Sequence, residues 1–161
     1  MGSAALSARD TSWVKEARII GDTGEMTFME QLKRCLPSYY AVVKPDKLKV
    51  YNDKNGIVLD LCVRNLENGK GLLVEKKTGN NGGNAHERAY KFLSPALQKK
   101  VSTDYDMIEK PFVFVFSGET FQKQKYQDEI SLLLENEIYF IMEPGYTNIF
   151  DVADKIQELL A

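Results

Sequence analysis

Three side chains in one short span carry the strongest chemical signal: Asp60, Glu75 and Lys77, in the pattern Asp-(x)14-Glu-x-Lys. Strand alternation puts Leu73, Glu75 and Lys77 on one face of Leu72–Lys77, and Val58, Asp60 and Cys62 on one face of Ile57–Arg64. Asp60 falls within an apolar stretch, where a lone carboxylate is costly to bury without a partner or a metal. If the two segments pair as a hairpin, both acids meet at one site with Lys77 beside them. Two carboxylates with open positions suit Mg²⁺, which takes oxygen ligands and keeps several waters. A lysine two residues beyond the second acid can orient an attacking water or offset charge on a pentavalent phosphorus. Metal-assisted phosphodiester hydrolysis uses these parts. On spacing alone, the same residues also describe a surface hairpin with a cross-strand ion pair.

The second signal is the stretch TGNNGGNAHERAYKFL, residues 78–93. Asn84 is an N-cap, and Glu87 is its partner in a capping box. A helix start of this kind can also face DNA. Asn84 then has the geometry for a bidentate contact with adenine, and Arg88 for a base edge. The glycines before them let backbone approach a groove without a Cβ in the way. The two roles are compatible.

Around these residues the sequence predicts alternating short elements. The capping box Thr27-x-x-Glu30 starts a helix over Thr27–Leu36, which Pro37 ends. Strands are expected at Leu48–Tyr51, Ile57–Arg64 and Leu72–Lys77, with turns at Asp53–Gly56 and Glu67–Lys70. A helix follows over His86–Lys100, then a buried strand at the apolar run Phe112–Phe116. The tail reads as helix near Gln124–Glu135, strand at Ile138–Met142 and helix near Ile149–Leu160. The class is α/β or α+β, a central mixed sheet flanked by helices.

The 161 residues are 43% apolar and 27% charged, which suits one folded domain over 1–161 and excludes disordered and collagen-like classes. No apolar run is long enough to span a membrane. The first residues show no basic and apolar secretory pattern, and Cys35 and Cys62 read as free thiols, so a cytoplasmic location is expected. A single histidine excludes sites built on several imidazoles. The net charge of −2 announces no nucleic-acid partner. Its distribution is uneven: residues 70–100 hold seven basic side chains against Glu75 and Glu87. Such a stretch is either a footprint for phosphate or a solvated surface.

Gly83-Asn84-Ala85-His86-Glu87-Arg88 resembles the recognition motif of the EcoRI/MunI group of type II restriction endonucleases, within the PD-(D/E)xK nuclease superfamily. Gly56–Lys77 is similar to that group's active-site hairpin, with matching spacing from acid to Glu-x-Lys, and Pro111–Glu119 to its next core strand. The resemblance implies a restriction-endonuclease-like core and a homodimer cutting double-stranded DNA at a short palindrome. It implies that Asp60, Glu75 and the carbonyl of Lys76 hold Mg²⁺ and that Lys77 is the catalytic lysine. Gly83, Asn84 and Ala85 would read inner base pairs, AATT in this group, with Arg88 assisting, Glu87 buttressing it and Lys91 on the DNA backbone. His86 is expected to pack on the non-reading side. Pro45-Asp46 offers the literal Pro-Asp of such nucleases. It lies among Lys44, Lys47 and Lys49 in an expected exposed turn, so Asp60, preceded by Leu59, is preferred. Only five residues separate Lys77 from Gly83, and Gly82 stands where an arginine would read the outer pair. A target of AATT alone or with a degenerate flank follows. Alternatives are a repair or junction-resolving nuclease of the same core, or a non-catalytic sequence-specific DNA-binding protein. The latter is expected to lack one of Asp60, Glu75 and Lys77.

Overall fold

The computed structural model describes residues 27–80 and 85–161. Its centre is a five-stranded mixed sheet in the order β1 (Tyr40–Val43), β2 (Leu61–Asn65), β3 (Gly71–Thr78), β4 (Phe112–Ser117), β5 (Ile138–Ile141). The first three strands pair antiparallel, and β3–β4–β5 pair parallel. All six residues of β4 are buried, as an apolar run covered on both faces requires.

The period-two alternation of the strands sorts their side chains into two layers. Leu61, Val63, Leu72, Val74, Val113 and Val115 pack against α1 (Phe28–Cys35) and α4 (Ile149–Leu159). Leu73, Phe112, Phe114 and Phe116 face the opposite way, toward the segment Ala85–Leu93, α2 (Pro95–Asp104) and α3 (Gln124–Leu133). Thr27 caps α1 by accepting from the Glu30 amide at 3.3 Å, as the capping pattern predicts.

Four expectations change. Tyr40–Val43 is a strand that the sequence hides, because four residues after a proline are too few for alternation to register. Its partner β2 defines it, from Tyr40 opposite Asn65 to Val43 opposite Cys62. Leu48–Tyr51 is not a strand but makes one bridge, Leu48 to Ile57. There the backbones lie so close that a Cβ on Gly56 would meet the Leu48 carbonyl oxygen at 1.7 Å. The strand expected over Ile57–Arg64 begins only at Leu61. The helix expected over His86–Lys100 is two elements, a 3-10 helix over Ala85–Leu93 and α2. Ser94 and Pro95 explain the division: the Ser94 hydroxyl accepts from the Leu97 amide at 3.2 Å, and Pro95 opens the new helix.

Candidate active site

The site follows from a difference in strand length. β3 runs eight residues, but β2 pairs with it only between Gly71 and Val74. Glu75, Lys76, Lys77 and Thr78 therefore project past β2 while remaining paired to Phe114, Val115, Phe116 and Ser117 of β4. Among the described residues no strand pairs with that edge of β3 at its C-terminal end, and Asp60 stands against it. The Asp60 amide donates to the Val74 carbonyl at 3.2 Å, and its Oδ2 accepts from the Lys76 amide at 2.7 Å.

Asp60 and Glu75 meet across the strands with their carboxylates in hydrogen-bonding contact. Their environments differ from the sequence expectation. Asp60 is exposed, whereas Glu75 is the buried acid, 5% accessible. Burial above all, and then the facing Asp60, push the Glu75 carboxyl up to about 8, with Lys77 pulling the other way. Lys77 Nζ lies 3.3 Å from Glu75 Oε2. In a strand, one residue's N–H and C=O point to the same neighbour. The Lys76 carbonyl therefore faces the open edge beside Asp60, and its side chain emerges on the other face, 5.6 Å above the Tyr146 ring. A cleft of about 380 Å³ opens there, between Thr27 and Met29 of the α1 end and Asp60, Lys76 and Thr78.

This donor set fits a divalent cation. Two carboxylates held together favour a positive charge between them, in keeping with the upward shift that burial and the facing Asp60 impose on the Glu75 carboxyl. A hard cation such as Mg²⁺ needs only one or two protein carboxylates, because it keeps several waters. That economy matters here: among the described residues, no three His, Cys, Asp or Glu side chains gather to bind a metal. Asp46 is exposed in the segment after β1, and no contact among the described residues joins it to Glu75 or Lys77.

The second signal is partly described. Gly83 and Asn84, with the capping box that Asn84 opens, lie outside the described residues. Ala85 begins the 3-10 helix. Three residues per turn then put His86, Ala89 and Phe92 on a buried line, and Arg88 and Lys91 on an exposed one. Glu87 is exposed too, and no ion pair joins it to Arg88 among the described residues. His86 is 1% accessible, with Phe121, Tyr126 and Tyr90 edge-on around it. This agrees with the expected packing role. What the sequence does not signal is Glu129 of α3, which accepts a hydrogen bond from His86 Nε2 and another from the Tyr90 hydroxyl at 3.3 Å. Burial and the neighbouring Glu129 raise the Tyr90 hydroxyl to about 12, so it stays a donor.

A mixed sheet whose central strand ends in Glu-x-Lys, faced by an aspartate at the start of the adjoining strand, defines a restriction-endonuclease-like nuclease core. The family model of type II restriction enzyme MunI matches residues 40–156, and the chain belongs to that family of site-specific DNA endonucleases. Enzymes of this kind generally use a divalent metal. Among solved structures, MunI restriction endonuclease in complex with cognate DNA shares the fold with a TM-score of 0.70 at 23% identity. The match covers 85% of this chain and 91% of the other. Comparison with curated protein sequences gave no match.

Proposed function

We propose that the whole chain forms one catalytic and DNA-binding domain that works as a cytoplasmic homodimer. It hydrolyses double-stranded DNA, with Mg²⁺, at a short palindrome with an AATT core. The observation that carries this reading is the junction of Asp60, Glu75 and Lys77 at the open end of β3. Asp60, Glu75 and the Lys76 carbonyl are the metal ligands in this proposal, and Lys77 is the catalytic lysine. A divalent cation bound there supplies positive charge to the phosphate and lowers the pKa of a bound water. Lys77 adds a donor within reach of that charge and holds the attacking water in line. Glu75, buried on one side, keeps its carboxylate fixed toward the open edge.

Gly83, Asn84 and Ala85 read the inner base pairs in this proposal, with Arg88 assisting and Glu87 buttressing it. Lys91 contacts the backbone. The exposure of Arg88 and Lys91 on one line of the 3-10 helix supports that division. Support for the AATT core comes from the motif, and for a shortened target from the glycine at position 82.

The experiment is a digest of a plasmid of known sequence with Mg²⁺, followed by mapping of the cut ends. Cuts at AATT, blocked by N6-methylation of the inner adenine, are expected, because the methyl group obstructs the donor that Asn84 accepts from. Asp60→Ala is expected to abolish cleavage while leaving site-specific binding. Wild-type turnover by Asp60→Ala would remove Asp60 from the site and return attention to Asp46.

A further inference from the structure

The residues on either side of the reading segment are fastened to one and the same piece of chain. Gly79, two residues beyond Lys77, donates from its amide to the Ser117 carbonyl at 2.9 Å and accepts from the Thr120 amide at 2.9 Å. Gly118 permits this approach: its φ is +101°, and a Cβ there would meet the Gly79 carbonyl oxygen at 2.3 Å. On the far side, His86 donates to Glu129 and is enclosed by Phe121 and Tyr126. Gln127 in turn donates to the Phe121 carbonyl at 2.9 Å, so the connector 117–129 is itself internally braced. The end of β3 and the start of the 3-10 helix are thus held by a common platform.

Packing alone does not account for His86. Its Nδ1 is buried with no hydrogen-bond partner among the described residues, a state that an apolar side chain filling the same space would avoid. What the imidazole adds is the bond from Nε2 to Glu129. Glu129 is 42% accessible on its side chain, so it is not needed to fill the core either. Glu129 and Tyr126, three residues apart on α3, grip the same ring.

We propose that His86 and Glu129 are positioning residues for sequence discrimination, the bond between them fixing the reading segment to the platform that also fixes the end of β3. Among the described residues neither side chain is bonded to Asp60, Glu75 or Lys77, and in this proposal the pair acts through the placement of Asn84 and Arg88. The inference therefore rests on the proposal that those two residues read bases.

The test uses the full-length protein with Glu129→Ala, Glu129→Gln and Asn84→Ala. Turnover and KM are measured on duplexes carrying the mapped site and on duplexes with one base pair changed, beside thermal midpoint and affinity for non-specific DNA. Glu129→Ala is expected to lower the ratio of kcat/KM between the two duplexes by roughly tenfold or more, since small misplacements of a positioned group cost that much. The midpoint of Glu129→Ala is expected to fall modestly, because the buried His86 donor loses its acceptor, while non-specific affinity holds. Glu129→Gln keeps an oxygen that accepts from His86 and is expected to restore the ratio. An unchanged ratio in Glu129→Ala, or no restoration by glutamine, would overturn the proposal. Asn84→Ala reports separately: discrimination kept in that variant removes the base-reading role of Asn84, whatever Glu129 does.

Discussion

At the scale of single residues, the site turns on which acid is buried. Spacing locates the pair, because alternation and hairpin pairing are both visible in Asp-(x)14-Glu-x-Lys. It also suggests Asp60 as the costly carboxylate, since Ile57, Leu59 and Leu61 surround it in sequence. The chain resolves that cost by ending the strand pairing at Asp60, which leaves it exposed and passes the burial to Glu75. The consequence is measurable without DNA. The folded Glu75 carboxyl titrates near 8, above its ordinary 4.5, so the native state binds more protons than the unfolded chain between those values. Stability in chelator is therefore expected to fall as pH rises through that window and then to level off. Glu75→Gln cannot ionise and is expected to flatten the decline while eliminating cleavage. Thermal midpoints from pH 4 to 9 in chelator read this directly. An unchanged slope in Glu75→Gln would mean that another group carries the pH dependence.

At the scale of elements, the projection of β3 past β2 separates two kinds of lysine. Lys77 sits on the projecting strand, 3.3 Å from Glu75, whereas Lys91 is exposed on the 3-10 helix with its Nζ 5.1 Å from the Phe92 ring. Lys77→Ala is expected to cut turnover by orders of magnitude with little loss of affinity. Lys91→Ala is expected to weaken binding to every sequence and to reduce the salt slope by about one phosphate. Single-turnover cleavage and salt titrations distinguish them, and like behaviour in both assays would erase the distinction. The hairpin strand β3 and the buried strand β4 are legible because their residues show period two or unbroken apolarity. β1 and the division at Ser94 are not. β1 is specified by pairing with β2, and the amphipathic line from Ala89 to Leu97 runs straight across a helix boundary. His86 packing is legible from helical spacing, but its partner Glu129 comes from an element 43 residues away, and no local pattern points to it.

At the scale of the whole molecule, the basic stretch over 70–100 divides. Lys70 lies at the β2–β3 turn and bonds the Ala161 carbonyl at 2.7 Å, at the opposite end of β3 from Lys77. Lys100 is paired with Asp104 at 3.0 Å. Lys76 and Lys77 lie on the projecting end of β3, and Arg88 and Lys91 are exposed on the 3-10 helix. A palindrome offers the same reading surface twice, related by a two-fold axis, and a two-fold protein matches it. One chain carries one Asp60–Glu75 pair, so a double-strand break needs two chains or two visits. We expect two chains per duplex, with the segment beginning at Asn84 near the axis, as its proposed reading of the central pairs requires. Mixing distinguishes the routes. Wild-type protein titrated with inactive Asp60→Ala forms hybrids with one working site, and these are expected to yield nicked circles from a supercoiled plasmid carrying a single site. The nicked fraction should peak near equal proportions and vanish at either extreme. A monomer cutting each strand in turn would be merely diluted by the inactive chain, giving slower linearisation and no nicked product that depends on the mixing ratio. Sedimentation of the complex in Ca²⁺ at one chain per duplex would point the same way and set the homodimer aside.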